Sequence, residues 1–316
     1  MIDNKNVKIF TGNSNHKLAN EIADLLGIEM GNATIGTFSD GEISINIVDS
    51  VRGKEVYLIQ STCSPVNNNL MEVLVMIDAL KRASAAKINI VMPYMGYARQ
   101  DRKAKPHDPI TAKLVADLLT AAGADRVLSM DLHVSQIQGF FNIPVDHLKG
   151  VPVLASYYLE KGFDKEDIVV VSPDVGSVTR ARSFAKKLDA PLAIIDKRRP
   201  KANVSEIMNI IGDIEGKKAI IIDDMLDTGG TFVNAANAVK SKGAKEVYGC
   251  VTHAVLSGSA IERIENSCLE ELVITNTIPT ERVENSPKFT VLSVAPVFAK
   301  AIERIHENIA LSSLNE

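Results

Sequence analysis

Twelve consecutive residues, Ile220-Ile221-Ile222-Asp223-Asp224-Met225-Leu226-Asp227-Thr228-Gly229-Gly230-Thr231, constrain this chain more than any other segment. A short apolar run reads as a buried parallel strand. It stops abruptly at two adjacent carboxylates, and a turn of Asp, Thr and Gly leads into a helical pattern with Phe232, Val233, Ala235, Ala236 and Val239 apolar. Strand, tight turn and helix form the building unit of open α/β sheets, which collect ligands outside the carboxyl ends of their strands. Gly229 and Gly230 let a ligand approach the backbone closely, and amides at a helix N-terminus make an anion site, most often for phosphate. Asp223 and Asp224 can accept hydrogen bonds from sugar hydroxyls. Acids for a sugar beside amides for a phosphate point to a sugar phosphate. A strand ending in two acids also serves as the metal-binding element of nucleotide hydrolases, or as a helix cap. No Gly-x-x-x-x-Gly-Lys-Ser/Thr loop occurs in the chain, so the hydrolase reading lacks its main part.

The same alternation extends along the chain. Val7–Phe10, Glu55–Gln60, Ile88–Met92, Arg126–Met130, Ile168–Val171, Leu192–Ile195, Ala219–Ile222 and Val247–Thr252 read as strands, with helical patterns over Lys17–Leu26, Leu70–Ala83, Ile110–Ala122 and Val175–Leu188 between them. This predicts α/β layers built on mostly parallel sheets, and 316 residues suffice for roughly two domains. An internal echo suggests duplication. Gly123-Ala124, Val127 and His133 recur at identical spacing as Gly243-Ala244, Val247 and His253, each copy reading as a helix ended by Gly before a strand that finishes at His. In that register Ile88–Met92 is the first-half counterpart of Ala219–Ile222 and ends in Pro93-Tyr94 instead of two acids. The expected domains are therefore 1–149 and 150–304, with 305–316 packing back on the first.

Composition closes off several classes. A net charge of −4 argues against bulk nucleic-acid binding. The first residues contain no apolar stretch of signal-peptide length and no run of about 18 apolar residues occurs, so a cytoplasmic protein without a membrane segment is expected. Cys63, Cys250 and Cys268 form no C-x-x-C and are too few for a disulfide framework; they are expected to be reduced and without a catalytic role.

Other constellations admit two readings each. Pro93-Tyr94-Met95-Gly96-Tyr97-Ala98-Arg99-Gln100-Asp101-Arg102-Lys103 is either a solvated charged loop or a polyphosphate and base site, Arg binding bidentately and Gln or the rings engaging a base. Phe38-Ser39-Asp40-Gly41-Glu42 is an acidic turn before the alternating Ile43–Ile47. His133 after one strand and Asp174 after another can hold Mg²⁺ directly or through its water, since Mg²⁺ usually takes one or two protein ligands beside substrate phosphates; a lone His is also commonly structural. Lys197-Arg198-Arg199-Pro200-Lys201 follows a strand. Its like charges keep it open without an anion, and it is either a basic surface or a loop that closes over a transferring polyphosphate.

The segment from Asp223 to Thr231 resembles the phosphoribosyl-binding motif of the type I phosphoribosyltransferase fold. Together with Phe38–Glu42, Tyr97–Asp101, Met130–His133, Ser172–Asp174, Lys197–Arg199 and Ser135-Gln136-Ile137-Gln138-Gly139-Phe140-Phe141, it is similar to the ribose-phosphate pyrophosphokinase family, in its bacterial, phosphate-dependent class. The resemblance implies two similar phosphoribosyltransferase-like domains. It implies ribose 5-phosphate at Asp223, Asp224, Asp227, Thr228, Gly229, Gly230 and Thr231, with Arg199 reaching it. ATP would meet Arg99 and Gln100, with Phe38, Asp40, Gly41 and Glu42 from a neighbouring subunit. Mg²⁺ would be held by His133 and Asp174, and Lys197 and Arg199 would stabilise the transferring diphosphoryl group. A homo-oligomer, a hexamer built from dimers, and regulation by phosphate and ADP through Arg82, Ser135, Ser312 and Ser313 are further implications. The family commonly ends in a Ser-Val-Ser-x-Leu-Phe type tail, whereas this chain ends Leu311-Ser312-Ser313-Leu314-Asn315-Glu316. Two other functions use the same sugar-phosphate motif: a base phosphoribosyltransferase, which leaves Arg99-Gln100 and the Lys197–Lys201 loop without a task, and a non-catalytic regulatory subunit, which would be expected to have lost active-site positions that stand here.

Overall fold

A computed structural model describes residues 6–198 and 207–315. The chain forms two compact units: Met1–Lys149 with Thr277–Pro279 and Ser293–Glu316, and Gly150–Asn276 with Thr280–Leu292. The segment that returns to the first unit therefore begins at Ser293, a dozen residues earlier than its sequence suggests.

The first unit runs β1 (Val7–Thr11), α1 (His16–Leu26), β2 (Ala33–Thr37), β3 (Ile43–Ile47), β4 (Glu55–Ile59), α2 (Val66–Arg82), β5 (Lys87–Met92), α3 (Thr111–Ala122), β6 (Arg126–Met130) and β7 (Val145–Leu148). Its parallel sheet has the order β1-β4-β5-β6-β7, and β2 and β3 form an antiparallel hairpin. A parallel bridge from Ile9 to Met30 attaches the chain entering that hairpin to β1. The strands read as continuous apolar runs because both faces are covered. Phe10, Val56, Leu58, Ile90 and Met92 pack under α2 and α3, and Ile9, Tyr57, Ile59, Val91 and Leu128 pack on the other face.

The second unit runs α4 (Val151–Glu160), β8 (Ile168–Ser172), α5 (Val178–Leu188), β9 (Leu192–Arg198), β10 (Ile207–Ile211), β11 (Lys218–Leu226), α6 (Gly230–Ser241), β12 (Glu246–Ala254), α7 (Ala260–Glu265), β13 (Glu271–Thr275) and β14 (Phe289–Leu292). The sheet order is β10-β9-β8-β11-β12-β13-β14, with only β10 antiparallel. Strand order reverses at β8, so the gap between β8 and β11 is a topological switch point, where open sheets bind ligands. The final helix α8 (Ala295–His306) buries Phe298, Ala301, Ile302 and Ile305 against α1 and completes the first unit's second face. No helix among the described residues is long and apolar enough to cross a membrane.

Both units thus have the phosphoribosyltransferase-like α/β architecture. In each, a strand and a helix lead to an antiparallel hairpin, and four more parallel strands follow. This match places β4, not β5, opposite β11, and it corrects the pairing inferred from the Gly-Ala-Val-His echo. Gly123, at φ +118°, leads from α3 into β6, and Gly243, at φ +95°, leads from α6 into β12. The topological partner of β12 is β5. The echo marks two helix-to-strand junctions one βα unit out of step, and it recurs because any such junction favours a left-handed Gly. Nor does β6 finish at His133: it closes at Met130, while His253 lies inside β12.

Candidate active site

Backbone pairing opens the switch point. On one side β11 pairs β12 to its last residue, Leu226 opposite Ala254; on the other its last partner in β8 is Val171, opposite Ile221. Asp223 and Asp224 therefore lie within the strand, which continues to Leu226 instead of stopping at the acids. β8 has turned away there, and the β8–α5 loop takes its place. Ser177 Oγ donates to Asp223 Oδ1 at 2.8 Å, as does the Asp224 amide at 2.9 Å. Arg180 Nη1 lies 3.4 Å from Asp223 Oδ1 and 3.5 Å from Asp224 Oδ1. Asp224 is buried at 4% exposure and Asp223 partly so. Burial, followed by the like charge of Asp224, pushes the Asp223 carboxyl up to about 7, against the opposing pull of Arg180 and Ser177. The guanidinium lies beside both carboxylates, whose oxygens suit sugar hydroxyls or a cation. Arg180 and Ser177 escape a sequence reading. Their only signal is that they occupy the first turn of the helix after the Ser172-Pro173-Asp174 strand end.

The Asp227–Thr231 turn follows directly. Gly229 has φ +76°, a conformation an L side chain adopts only with strain, and its carbonyl accepts the first helical bond of α6 from the Val233 amide at 2.9 Å. The amides of Gly230, Thr231 and Phe232 are consequently the orphan donors of the helix start, and no described side chain caps them. The turn is fixed from behind: the Ser257 amide donates to Asp227 O at 3.0 Å, and Arg263 Nη1 donates to Thr228 O at 3.0 Å. Arg263, a third residue the sequence does not single out, adds positive charge to an anion-accepting turn.

Asp174 accepts the Ser177 amide on Oδ1 at 2.9 Å, which commits one oxygen to starting α5 and leaves Oδ2 for other partners. His133 is partly buried in the first unit, three residues past β6. No described cluster of three His, Cys, Asp or Glu side chains is set to hold a metal. Lys197 falls within β9, which runs two residues further than Asp196 and absorbs the start of the expected basic loop, while Arg199 and the rest of that loop lie outside the described residues.

In the first unit, Arg99 and Gln100 are exposed in the loop after β5. That loop is tied to the one after β4: the Gly96 amide donates to Thr62 Oγ1 at 2.7 Å, and the Thr62 amide donates to Tyr94 O at 2.9 Å. A Cβ at Gly96 would lie 2.4 Å from Thr62 O, so only Gly permits this approach. Phe38–Glu42 forms the tip of the β2–β3 hairpin, with the Phe38 amide on Glu42 O at 2.8 Å, Glu42's amide on Asp40 Oδ1 at 3.1 Å, and Gly41 at φ +94°. The Phe38 ring is 58% exposed.

The four expected regulatory residues are not all brought together. Arg82 is paired with Asp78 on the exposed face of α2. Ser135 opens the 3₁₀ turn Ser135–Phe140; Ser312 and Ser313 open the 3₁₀ turn Ser312–Leu314, where Ser313 Oγ accepts from Arg304. Those two turns are linked through His147, which lies 3.4 Å from Gln138 and whose carbonyl accepts from Asn315 Nδ2 at 3.2 Å.

The loop after β4, which occupies the topological place of the Asp223–Thr231 segment, is filled by its own side chains. Glu72 of α2 accepts from the Asn13 amide at 2.9 Å, Asn13 Nδ2 at 2.8 Å and Gln60 Nε2 at 2.7 Å. Gln60 Oε1 accepts the Ser14 amide at 3.0 Å. The backbone amide that Glu72 accepts belongs to Asn13 in the loop after β1, and the start of α2, like that of α6, has no side-chain cap.

Two family models match the chain, the N-terminal domain of ribose phosphate pyrophosphokinase over residues 7–123 and the phosphoribosyl synthetase-associated domain over residues 197–316. The ribose-phosphate pyrophosphokinase of Clostridium perfringens is 69% identical over 311 residues, 98% of each chain. That of Bacillus subtilis is 59% identical over 310 residues, 98% of this chain and 97% of its own. The crystal structure of phosphoribosylpyrophosphate synthetase from Mycobacterium smegmatis matches with a TM-score of 0.90 at 44% identity, covering 96% of this chain and 99% of that one.

Proposed function

This chain belongs to the ribose-phosphate pyrophosphokinase family, and we infer that it transfers the diphosphoryl group of ATP to the 1-hydroxyl of ribose 5-phosphate. The sugar oxygen attacks the β-phosphorus, the bond from that phosphorus to the α–β bridging oxygen breaks, and AMP leaves with 5-phosphoribosyl 1-diphosphate as the product. The observation that carries the reading is the pair Asp223 and Asp224 at the switch point, followed immediately by a helix start whose amides no described side chain caps.

In this reading the ribose hydroxyls donate to Asp223 and Asp224, and the 5-phosphate takes the Asp227–Thr231 turn. Arg180 opposes the upward shift of Asp223 and aims both carboxylates. Arg99 and Gln100 bind ATP, and the exposed hairpin tip at Phe38, Asp40, Gly41 and Glu42 completes the ATP site of a neighbouring subunit in a homo-oligomer, a hexamer built from dimers. Lys197 and Arg199 meet the charge that spreads over the transferring group, where positioning and electrostatics supply most of the acceleration. The reaction belongs to the cytoplasm, where both substrates are made.

Oxygen donors suit Mg²⁺, and Asp174 keeps one carboxylate oxygen uncommitted to its helix. His133 and Asp174 would hold the ion, which when bound neutralises polyphosphate charge. Phosphate activation and ADP inhibition are assigned to Arg82, Ser135, Ser312 and Ser313.

The test is direct. Purified protein given ATP, ribose 5-phosphate and Mg²⁺, with no nucleobase, should form AMP and 5-phosphoribosyl 1-diphosphate in equal amounts, faster with phosphate. Product only when a base and 5-phosphoribosyl 1-diphosphate are supplied would establish a base phosphoribosyltransferase instead, and no product in either assay would leave a regulatory subunit.

A further inference from the structure

We propose that His147 is a positioning residue for the loop that carries His133, and that Asn315 in the C-terminal tail holds His147 in place. The argument starts from a backbone requirement. Past β6 the chain turns sharply at Asp131, a buried non-glycine residue at φ +39°. The turn drives Leu132 into the core at 4% exposure, and a backbone N–H carried inward with it must find a partner. Sheet pairing does not supply one. The Asp131 amide still reaches Leu148 O on β7 at 3.0 Å, but the Leu132 amide donates to a side chain, His147 Nε2, at 2.9 Å. His133 is the next residue, so its backbone direction is set by this bond and by the Asp131 turn.

His147 is in turn gripped at its backbone. Asn315 Nδ2 donates to His147 O at 3.2 Å, and Asn315 Oδ1 accepts the Lys149 amide at 2.9 Å. The Asn amide thereby fastens the end of β7 to the tail in the way a further strand would. Leu311 and Leu314 pack against the core beside it. The tail, which departs most from the family's pattern, thus connects through two residues to the loop assigned to the metal.

This inference rests on the reading of His133 as a Mg²⁺ ligand, and its experiment separates the two. The variants are H147L, which removes the acceptor, H147N, whose amide oxygen can accept the same N–H, and N315A. The first readout is hydrogen exchange of the Leu132 amide in the full-length protein, followed by NMR or mass spectrometry. H147L should lose roughly tenfold or more of the protection, and H147N should restore most of it. The second readout is steady-state kinetics without ADP. H147L should lower kcat by roughly tenfold and raise the half-saturating free Mg²⁺ severalfold, with KM for ribose 5-phosphate within about twofold; N315A should move the same quantities by less. Wild-type kinetics and unchanged Leu132 exchange in H147L would overturn the proposal, as would H147N being as impaired as H147L. Altered exchange with an unchanged Mg²⁺ response would overturn the positioning role while leaving a merely structural bond. If H147L fails to fold, H147N and N315A decide: normal exchange in N315A would remove the tail from the argument. An inactive wild-type protein would instead break the functional reading itself.

Discussion

The loops after β4 and β11 occupy the same place in two copies of one fold and do opposite things. After β11, two adjacent acids stand beside Arg180, ahead of a helix start that lacks a side-chain cap, as the start of α2 also does. After β4, the corresponding space is crossed by Gln60 and Glu72, whose polar atoms are spent on Asn13, Ser14 and each other. Gly12 sits so close that a Cβ there would meet the Gln60 side chain at 2.5 Å. A ligand site in this architecture is therefore not a consequence of topology. It requires that polar groups at the switch point be left incompletely satisfied, and a self-satisfied network converts the same strands into scaffold.

If the sugar phosphate and the transferring group are handled by the second copy, substitutions there should cost far more than substitutions in the loop after β4. The largest effect is expected from Lys197→Ala and Arg199→Ala, each about 10³-fold in kcat with KM little changed, by analogy with charge-stabilising arginines in phosphoryl transfer. Arg198→Ala and Lys201→Ala should cost roughly tenfold or less. Steady-state kinetics of the four variants ranks them, and equal losses in all four would reduce the segment to a basic surface.

Next comes Arg180. Arg180→Met takes away the guanidinium beside both acids and should raise KM for ribose 5-phosphate by about 10-fold to 100-fold. KM for ATP should change far less. An unchanged KM for the sugar phosphate would show that the guanidinium serves the apo structure and not the substrate site.

The contrast between the copies also shows where sequence reading ends. The strand, turn and helix from Ile220 to Thr231 are legible because every cue is local: an apolar run, adjacent acids, a Gly pair, a helical period. Arg126–Met130 is legible to the residue for the same reason. The crevice is not legible, since it exists only because β11 keeps pairing with β12 for five residues after β8 has left it. Arg180, Arg263 and His147 act at points their own neighbours do not announce. The duplication was visible but in the wrong register, because a left-handed Gly after a helix recurs at junctions that are not counterparts, whereas the true correspondence lies in strand order. Strands β13 and β14 carry no turn or motif that marks them, and they are recognised only by their place in the sheet.

The plugged copy can be probed by stability. Glu72→Gln keeps the shape but turns a donor toward Asn13 and Gln60, each already donating to that carboxylate. Losing buried bonds to a charged acceptor should cost about 1–3 kcal/mol in urea unfolding, with KM for ribose 5-phosphate within about twofold of wild type. A variant of normal stability with weakened sugar-phosphate binding would mean that the first copy does contribute a substrate site.

The smallest effect separates the two loops by pH. Asp223 has its carboxyl pushed up to about 7 in the folded protein, first by burial and then by Asp224, from an ordinary value of 3.8. The sign follows from which state binds the proton. Below about pH 4 both folded and unfolded chains hold it and the group contributes nothing. Between about pH 4 and pH 7 the unfolded chain releases the proton while the folded one retains it, so stability falls as pH rises; above about pH 7 both are ionised and the penalty is constant. Asp223→Asn removes that titration while keeping an oxygen for Ser177 Oγ and the Asp224 amide. Without substrate or Mg²⁺, the variant should therefore match wild type near pH 4 and become more stable by about 1–2 kcal/mol at pH 7 to 8, a fraction of the full shift at about 1.4 kcal/mol per unit because the pair and Arg180 relax together. Chemical unfolding of both proteins at four or five pH values gives the difference directly. A stability difference that is flat from pH 4 to 8 would show that Asp223 is ionised throughout, and that the open loop is no more strained by its charges than the closed one.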